Sequence, residues 1–305
     1  MSTALLKKMF LLTGLLLVVL LVYYYRQVPH FQVPFAKAAG SVERILLEQG
    51  PKKIELHKEG KLWQVFSPTS AHYPADENAV KTFISTLKDV QIEDQISDRA
   101  DRASEYEVNS ESGTRVCFMD ASGTKLAEGI FGKQAPDVAH LYFRYPDKPN
   151  VYLARGLIRG ELGQPELNSW RSRQLIDLPE TGIQEVLIQG KGFATDLVRK
   201  GTDTWTLNGK VLEPAPVYQL LGALGHLSAD EFVTPSTAPV FTYDSLQYAK
   251  IAIKTADRTV ELHIGPEWVQ QQKYPAAVSA EGGVAWLYEL HVKPLLLKPS
   301  DFHIK

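Results

Sequence analysis

An apolar run near the start of the chain is the first pattern in the sequence. From Met9 to Tyr25 the chain reads MFLLTGLLLVVLLVYYY, 17 residues without a charged side chain. As a helix this run is about 25 Å long, close to the bilayer's hydrocarbon thickness of about 30 Å. It therefore predicts one transmembrane helix. The residues assigned to this membrane anchor are Met9, Leu12, Leu16, Leu20, Tyr23, Tyr24 and Tyr25.

The charges that flank this run predict its orientation. Lys7 and Lys8 precede it, whereas only Arg26 follows it closely. The positive-inside rule then places the N-terminus in the cytoplasm and the rest of the chain across the membrane. A cleaved signal peptide is the alternative, because Ala36-Lys37-Ala38 has the pattern of a cleavage site. We favour an uncleaved anchor, since the apolar segment of a signal peptide is shorter, about 7–15 residues.

The rest of the sequence reads as two copies of one unit, residues 41–163 and 183–299. Each copy opens with a short apolar strand, VERILLE from Val42 and IQEVLIQ from Ile183. A charged hairpin follows in each copy and ends in a tryptophan, Trp63 or Trp205. These two tryptophans are therefore expected to occupy equivalent positions.

A helix is predicted after the hairpin in each copy. Its apolar residues recur at the spacing i, i+3, i+4, i+7 and i+10, which places them on one face of a helix. They are Val80, Phe83, Ile84, Leu87 and Val90 in the first copy, and Val217, Leu220, Leu221, Leu224 and Leu227 in the second.

The order of these elements predicts the fold class. Strands come in hairpins with one helix between them, which favours an α+β class built from antiparallel sheets with a helix on one face. The expected fold is a transmembrane helix followed by two tandem repeats of this kind. The expected boundaries are 1–40 for the anchor and stalk, 41–163 for the first repeat, 164–182 for a connector and 183–305 for the second repeat.

Composition excludes several classes of protein. The 305 residues are 44% hydrophobic and 22% charged, as in ordinary folded proteins. A formal net charge of −2 argues against general nucleic-acid binding, which normally needs a basic surplus. The single cysteine, Cys117, rules out an intramolecular disulfide and a multi-cysteine metal site. Its apolar neighbours predict that it is buried.

The sequence lacks the local motifs of common catalytic and cofactor sites. None of the eight histidines belongs to an HExxH motif, and the chain has no GxSxG, GxxxxGK[ST] or GxGxxG motif. We therefore predict no catalytic residues, no metal and no cofactor.

Two groups of aromatic and arginine residues are candidates for binding a partner, because both residue types are enriched at interaction hot spots. The first group lies in a predicted hairpin, where one aromatic face packs in the core and the other could face outward. The second lies in the connector, where its residues could instead pack the two units. The candidates are Tyr142, Arg144 and Tyr152 in the hairpin, and Trp170, Arg171 and Arg173 in the connector.

Three further motifs follow the strand–hairpin–tryptophan opening along the chain. They are Pro74-Ala75-Asp76 before a helix, Gly132 at the end of a strand and Trp170-Arg171-Ser172-Arg173 in the connector. With these motifs in this order, the chain from Val42 onward resembles a bacterial membrane-anchored family, domain-of-unknown-function family 4340. One departure is that the family's usual Tyr-Gly-Leu before the middle hairpin is Tyr106-Glu107-Val108 here.

The resemblance implies a single-pass inner-membrane protein with most of its chain in the periplasm. It also implies an auxiliary role beside ABC-type exporters, and it transfers no catalytic residue.

Three classes of function remain open. The first is a non-enzymatic accessory or scaffold subunit of an ABC-type transport or envelope complex. Its partners would be the lipid bilayer and a multispan transporter or another envelope protein. The second is a periplasmic module that binds a lipid or a glycan, and the third is a hydrolase whose site is formed by residues distant in sequence. The anchor, the duplication and the missing catalytic motifs favour the first class.

Overall fold

The computed structural model describes residues 13–20, 32–67, 70–233, 243–278 and 283–305. They form an α+β fold dominated by two nine-stranded antiparallel sheets. Helix α1 is described over residues 13–20. Phe131 and Phe143 are among the buried side chains of the first sheet, and Ile188 and Ile251 among those of the second.

The first sheet has the strand order β4-β3-β2-β1-β6-β7-β8-β9-β5. Helix α2, Glu77–Lys88, lies between β4 and β5 in the sequence. The strands are β1 Arg44–Gln49, β2 Lys52–Glu59, β3 Leu62–Ser67, β4 Ser70–Pro74, β5 Gln91–Ser97, β6 Thr114–Met119, β7 Lys125–Gln134, β8 His140–Arg144 and β9 Val151–Arg155.

The second sheet has the strand order β13-β12-β11-β10-β15-β16-β17-β18-β14. Helix α3, Leu167–Trp170, precedes it, helix α4, Pro214–Gly225, lies between β13 and β14, and helix α5, Glu289–Val292, follows β18. The strands are β10 Ile183–Gly190, β11 Phe193–Arg199, β12 Trp205–Leu207, β13 Lys210–Val211, β14 Glu231–Phe232, β15 Ala249–Thr255, β16 Thr259–Ile264, β17 Lys273–Ala277 and β18 Ala285–Tyr288.

The two sheets repeat the same topology strand for strand. In both, the fourth strand lies at one edge and the fifth at the other, with one helix between them in the sequence. Trp63 near the start of β3 and Trp205 at the start of β12 are both buried, as equivalent positions require. The repeat inferred from the sequence is therefore present as a repeat of topology.

The predicted helical stripes are largely confirmed. Helix α2 buries Val80, Phe83 and Leu87, while Ile84 is half-buried. In and just after helix α4 the whole stripe is buried, from Val217 to Leu227. Helix α4 carries no charged residue, whereas α2 begins at Glu77 and ends at Lys88.

By packing, the chain divides into a first unit, Met1–Pro68 and Glu77–Ser169, and a second unit, Thr69–Asp76 and Trp170–Lys305. Backbone hydrogen bonds explain why a short early segment belongs to the second unit. The amide of Asp76 donates to the carbonyl of Trp170 over 2.8 Å, and the amide of Ser172 donates to that of Pro74 over 2.8 Å. The expected connector is thus divided after Ser169.

The end of the expected stalk differs from the sequence-based interpretation. Phe35 is fully buried, with its ring centroid 5.1 Å from that of Phe118 and 6.1 Å from that of Phe131. Just before it, Gln32 pairs with Ile92 through backbone hydrogen bonds of 3.2 and 2.7 Å. The prediction of a stalk as far as Gly40 is therefore wrong from Gln32 onward, where the chain already belongs to the first unit.

The predicted membrane anchor falls largely outside the described residues. Met9, Leu12 and Tyr23 to Tyr25 are outside them, whereas Leu16 and Leu20 lie in α1, where both are exposed. Among the described residues, no helix combines the length and the apolar character needed to cross a membrane.

Candidate functional site

The second unit contains a cavity of about 650 Å³. This volume is within the range of small-molecule sites, about 300–1,000 Å³. Polar and charged side chains line it, among them Gln189, Lys191, Lys250 and His263, next to the ring of Tyr248. The cavity is therefore the strongest candidate for a binding site among the described residues.

Three of these side chains form a row across neighbouring strands. Gln189 on β10 lies directly opposite Lys250 on β15, and Lys250 lies opposite His263 on β16. Their sequence neighbours Ile188 and Ile251 are fully buried. Because successive strand residues point to opposite faces, the row lies on the sheet face opposite these core residues.

The charges beside this row are partly paired. Lys250 Nζ lies 2.8 Å from Glu261 Oε1, and this hydrogen bond holds the pKa of Glu261 below its usual value. The ring of His263 stacks on that of Tyr243, with 4.3 Å between the centroids. Packing against a ring and a charged neighbour fixes the orientation of the imidazole toward the cavity that it lines.

A smaller cavity of about 270 Å³ lies elsewhere in the second unit. His291 Nδ1 lies 2.8 Å from Asp230 Oδ2, which also accepts the backbone amide of Tyr288 over 2.8 Å. Ser228 lines the same cavity. Among the described residues, no hydrogen bond joins the Ser228 side chain to His291, so the arrangement shows a carboxylate–histidine pair without a nucleophile bonded to it.

The hairpin candidates Tyr142, Arg144 and Tyr152 lie on β8 and β9 and are half-buried. The ring of Tyr142 lies 4.6 Å from that of the buried Tyr106. Arg144 Nε donates to the carbonyl of Val108 over 2.9 Å. The segment before β6 therefore covers the outer face of β8, which the sequence had left open to a partner. The Tyr152 ring packs edge-on against another tyrosine of the hairpin, with centroids 5.9 Å apart.

The connector candidates belong to the second unit. Trp170 and Arg171 are buried, and the guanidinium of Arg171 lies between the rings of Tyr73 and Phe232, at 4.0 and 3.9 Å. Burial lowers the pKa of Arg171 to about 10. Arg173 is exposed and donates to the carbonyl of Asp230 over 3.0 Å. Only Arg173 of this group is therefore accessible at the surface of the second unit.

The row of Gln189, Lys250 and His263 at the cavity was not predicted from the sequence. The sequence contains part of the signal, because KIAIKTADRTVELHIG, from Lys250 to Gly265, aligns with RVCFMDASGTKLAEGIFG of the first copy and places Lys250 and His263 in a hairpin. Whether Lys250 and His263 lie side by side depends on the register of their strands, which the sequence did not supply.

In the described residues, no group of three or more His, Cys, Asp or Glu side chains could hold a metal ion. Cys117 is buried, and burial raises the pKa of its thiol to about 11.

The backbone at Tyr106-Glu107-Val108 bears on the family resemblance. Glu107 has φ of 54°, in the left-handed region that glycine adopts most readily. A side chain on Gly132 would overlap the carbonyl oxygen of Tyr106. Glu107 therefore holds a left-handed conformation that the glycine implied by the resemblance at this position would adopt more readily.

Comparison with known families gives one match. The model of the DUF4340 family, described as a domain of unknown function, matches residues 63–245, which is more than half of the chain. The matched segment begins in β3 and includes part of each unit. A search of curated proteins and a search of solved structures each found no match. The chain therefore belongs to the DUF4340 family of domains of unknown function.

Proposed function

We propose that the chain is a non-enzymatic single-pass protein of the bacterial inner membrane and an accessory or scaffold subunit of an ABC-type transport or other envelope complex. One observation carries the proposal. Six consecutive side chains of α1, from Leu15 to Leu20, are apolar and more than half exposed. A contiguous apolar surface of this kind needs an apolar environment, and the apolar sequence around it extends from Met9 to Tyr25.

The distance between this segment and the first unit supports a scaffold role. Only residues 26–31 separate Tyr25 from Gln32, which pairs with Ile92 of the first sheet. A fully extended chain of this length reaches at most about 25 Å. An anchor that ends near Tyr25 would therefore hold the first unit close to the bilayer, on the periplasmic side by the positive-inside rule.

The repeated topology supports a role in contacting a partner. Two sheets of nine strands each offer a large surface, and stable protein interfaces bury about 1,200–2,000 Å² in total. We propose a multispan membrane protein of the transporter type as the partner. The cavity of the second unit favours ligand binding as a second candidate function.

The anchor is tested by alkaline carbonate extraction of membranes that contain the full chain. The wild-type chain should stay with the membrane pellet. Leu16→Arg should release part of it, because an arginine near the centre of a span costs about 3 kcal/mol. Leu62→Arg is the matched control, since Leu16 and Leu62 are each 60% exposed but Leu62 lies on β3. Complete release of the wild-type chain would contradict the proposed anchor.

The partner is tested by mild crosslinking in membranes and purification of the intact chain in detergent. A multispan transporter should copurify in a fixed ratio to the chain. Recovery of the chain alone, both with and without crosslinking, would contradict the proposed accessory role.

A further inference from the structure

In the first unit the guanidinium of Arg115 lies between two carboxylates, Glu48 and Glu128. Each carboxylate also pairs with a lysine, Glu48 with Lys53 at 3.7 Å and Glu128 with Lys125 at 3.0 Å. Arg115 Nη1 lies 2.8 Å from Glu48 Oε2, and Arg115 Nε donates to Glu128 Oε1 over 2.6 Å. Glu48 lies directly opposite Arg115 in the pairing of β1 with β6. Charge-assisted bonds of this kind are the stronger hydrogen bonds of proteins, so the guanidinium is well satisfied.

The second unit repeats this arrangement with one carboxylate missing. Gln189 lies opposite Lys250, as Glu48 lies opposite Arg115. Glu261, the equivalent of Glu128, pairs with Lys250 at 2.8 Å. The neutral amide of Gln189 therefore stands where the first unit has its second carboxylate, and it lines the cavity.

The next position in this row of residues also differs between the two units. Ile130 lies opposite Arg115 on β7 and packs with Tyr106 and Val108, whereas His263 is its equivalent on β16. His263 Nε2 is buried, has no hydrogen bond among the described residues and lies 3.6 Å from Glu261 Oε2. The apolar side chain of Ile130 in the first unit is thus replaced in the second by an imidazole, whose Nε2 faces Glu261.

The space beside the row also differs between the units. In the first unit Gln49 Nε2 donates to the carbonyl of Ser112 over 3.0 Å, and a side chain on Gly50 would approach the carbonyl of Glu111 to 3.1 Å. The equivalent of Gly50 is Lys191, which is exposed at the cavity of about 650 Å³. The end of the first strand is therefore covered in the first unit and open in the second.

We propose that this cavity binds a small molecule that carries a carboxylate, and that the carboxylate takes the place beside Lys250 that Glu48 takes beside Arg115. Lys191 and Lys250 both line the cavity, and among the described residues Glu261 pairs with Lys250 only. The two lysines therefore exceed the carboxylates paired with them by one charge. The ring of His263 forms part of the cavity wall beside the bound carboxylate. Leu246 and Tyr248 line the same cavity and contact the apolar part of the ligand.

The binding test is calorimetric titration of the detergent-solubilised full chain with benzoate, glucuronate and the neutral isostere benzamide. At least one of the two carboxylates should bind with a dissociation constant near or below about 1 mM, and benzamide should bind at least about tenfold more weakly than benzoate. The proposal is overturned if neither carboxylate binds below about 10 mM. Equal binding of benzamide and benzoate overturns it as well, because the carboxylate would then make no difference.

Two variants in the row locate the site, and one variant in the first unit is the control. Gln189→Glu supplies the missing carboxylate from the protein itself, and should weaken carboxylate binding at least about tenfold without lowering the melting temperature. Lys250→Gln should weaken binding by removing the cation. Glu48→Gln makes the matched change in the first unit and should leave binding unchanged. Unaltered binding in both row variants, or an equal loss in Glu48→Gln, would place the ligand elsewhere.

Discussion

Phe35 packs edge-on against Phe118, with ring centroids 5.1 Å apart and both side chains fully buried. Phe118 belongs to β6 near the middle of the first sheet, so a residue only ten positions beyond Tyr25 contributes to this core. Packing of Phe35 therefore attaches the chain to the core of the first sheet close to the predicted end of the membrane segment.

Phe35→Ala should destabilise the first unit by about 3–5 kcal/mol, because it removes a fully buried aromatic ring and leaves a cavity. The measurement is the free energy of unfolding from urea titration. Val33→Ala is the control, since Val33 is exposed two residues earlier and should change the free energy little. Equal effects of the two substitutions would show that Phe35 is not part of the core.

Glu107→Gly should stabilise the first unit by about 0.5–1 kcal/mol. Glu107 has φ of 54°, which is unfavourable for a residue with a Cβ, and the entropy of glycine in the unfolded chain offsets part of the gain. Glu107→Gln keeps the Cβ and weakens only the half-exposed pair with Arg159 at 3.3 Å, so it should be nearly neutral. A lower melting temperature of Glu107→Gly would show that the ion pair between Glu107 and Arg159 outweighs the backbone strain.

Arg171→Lys should destabilise the second unit by about 2 kcal/mol or more. The planar guanidinium stacks between Tyr73 and Phe232, and an ammonium group cannot stack in this way and is more strongly hydrated. Arg173→Lys makes the same change at an exposed position and should have little effect on the melting temperature. Similar melting temperatures for the two variants would show that stacking of the Arg171 guanidinium contributes little to stability.

Glu128 should make the first unit sensitive to acid. Burial raises its pKa, but hydrogen bonds from Lys125 and Arg115 outweigh burial and hold the pKa below its ordinary value of 4.5. The stabilisation from this carboxylate is therefore present above pH 4.5 and is lost as the pH falls through the lower pKa of the folded state.

The corresponding measurement is the free energy of unfolding of Glu128→Gln as a function of pH. The variant should be less stable than wild type at neutral pH, and the difference should shrink as the pH falls below 4.5. Glu111→Gln, at an exposed position, should follow the wild-type curve. A difference that stays constant with pH would exclude Glu128 as the titrating group.

Apolar periodicity was sufficient to predict helices α2 and α4, and the matching order of segments in the two copies was sufficient to predict the duplication. The buried stripe of α4, from Val217 to Leu224, follows directly from apolar spacing. Trp63 and Trp205 could be matched because each ends a hairpin of similar length. The spacing of apolar residues indicates which face of a helix or strand is buried. It was therefore reliable for features that lie within one helix or strand.

Features that join distant segments could not be predicted in this way. Phe35 lies in a stretch without periodicity, so nothing in its neighbours indicates burial. The rings that enclose Arg171 come from Tyr73 and Phe232, far away in the sequence. The row of Gln189, Lys250 and His263 depends on the register of three strands, because a shift of one residue would turn each side chain to the other face.

The most direct test of a membrane-anchored chain with both units in the periplasm is labelling of single introduced cysteines in intact cells with a membrane-impermeant maleimide. The native Cys117 should not react with the maleimide in the folded protein, because it is buried. Lys61→Cys in the first unit and Asp257→Cys in the second, both at exposed turns, should react in intact cells, whereas Ser2→Cys should react only after lysis. Labelling of Ser2→Cys alone in intact cells, or of none of the three before lysis, would contradict the account.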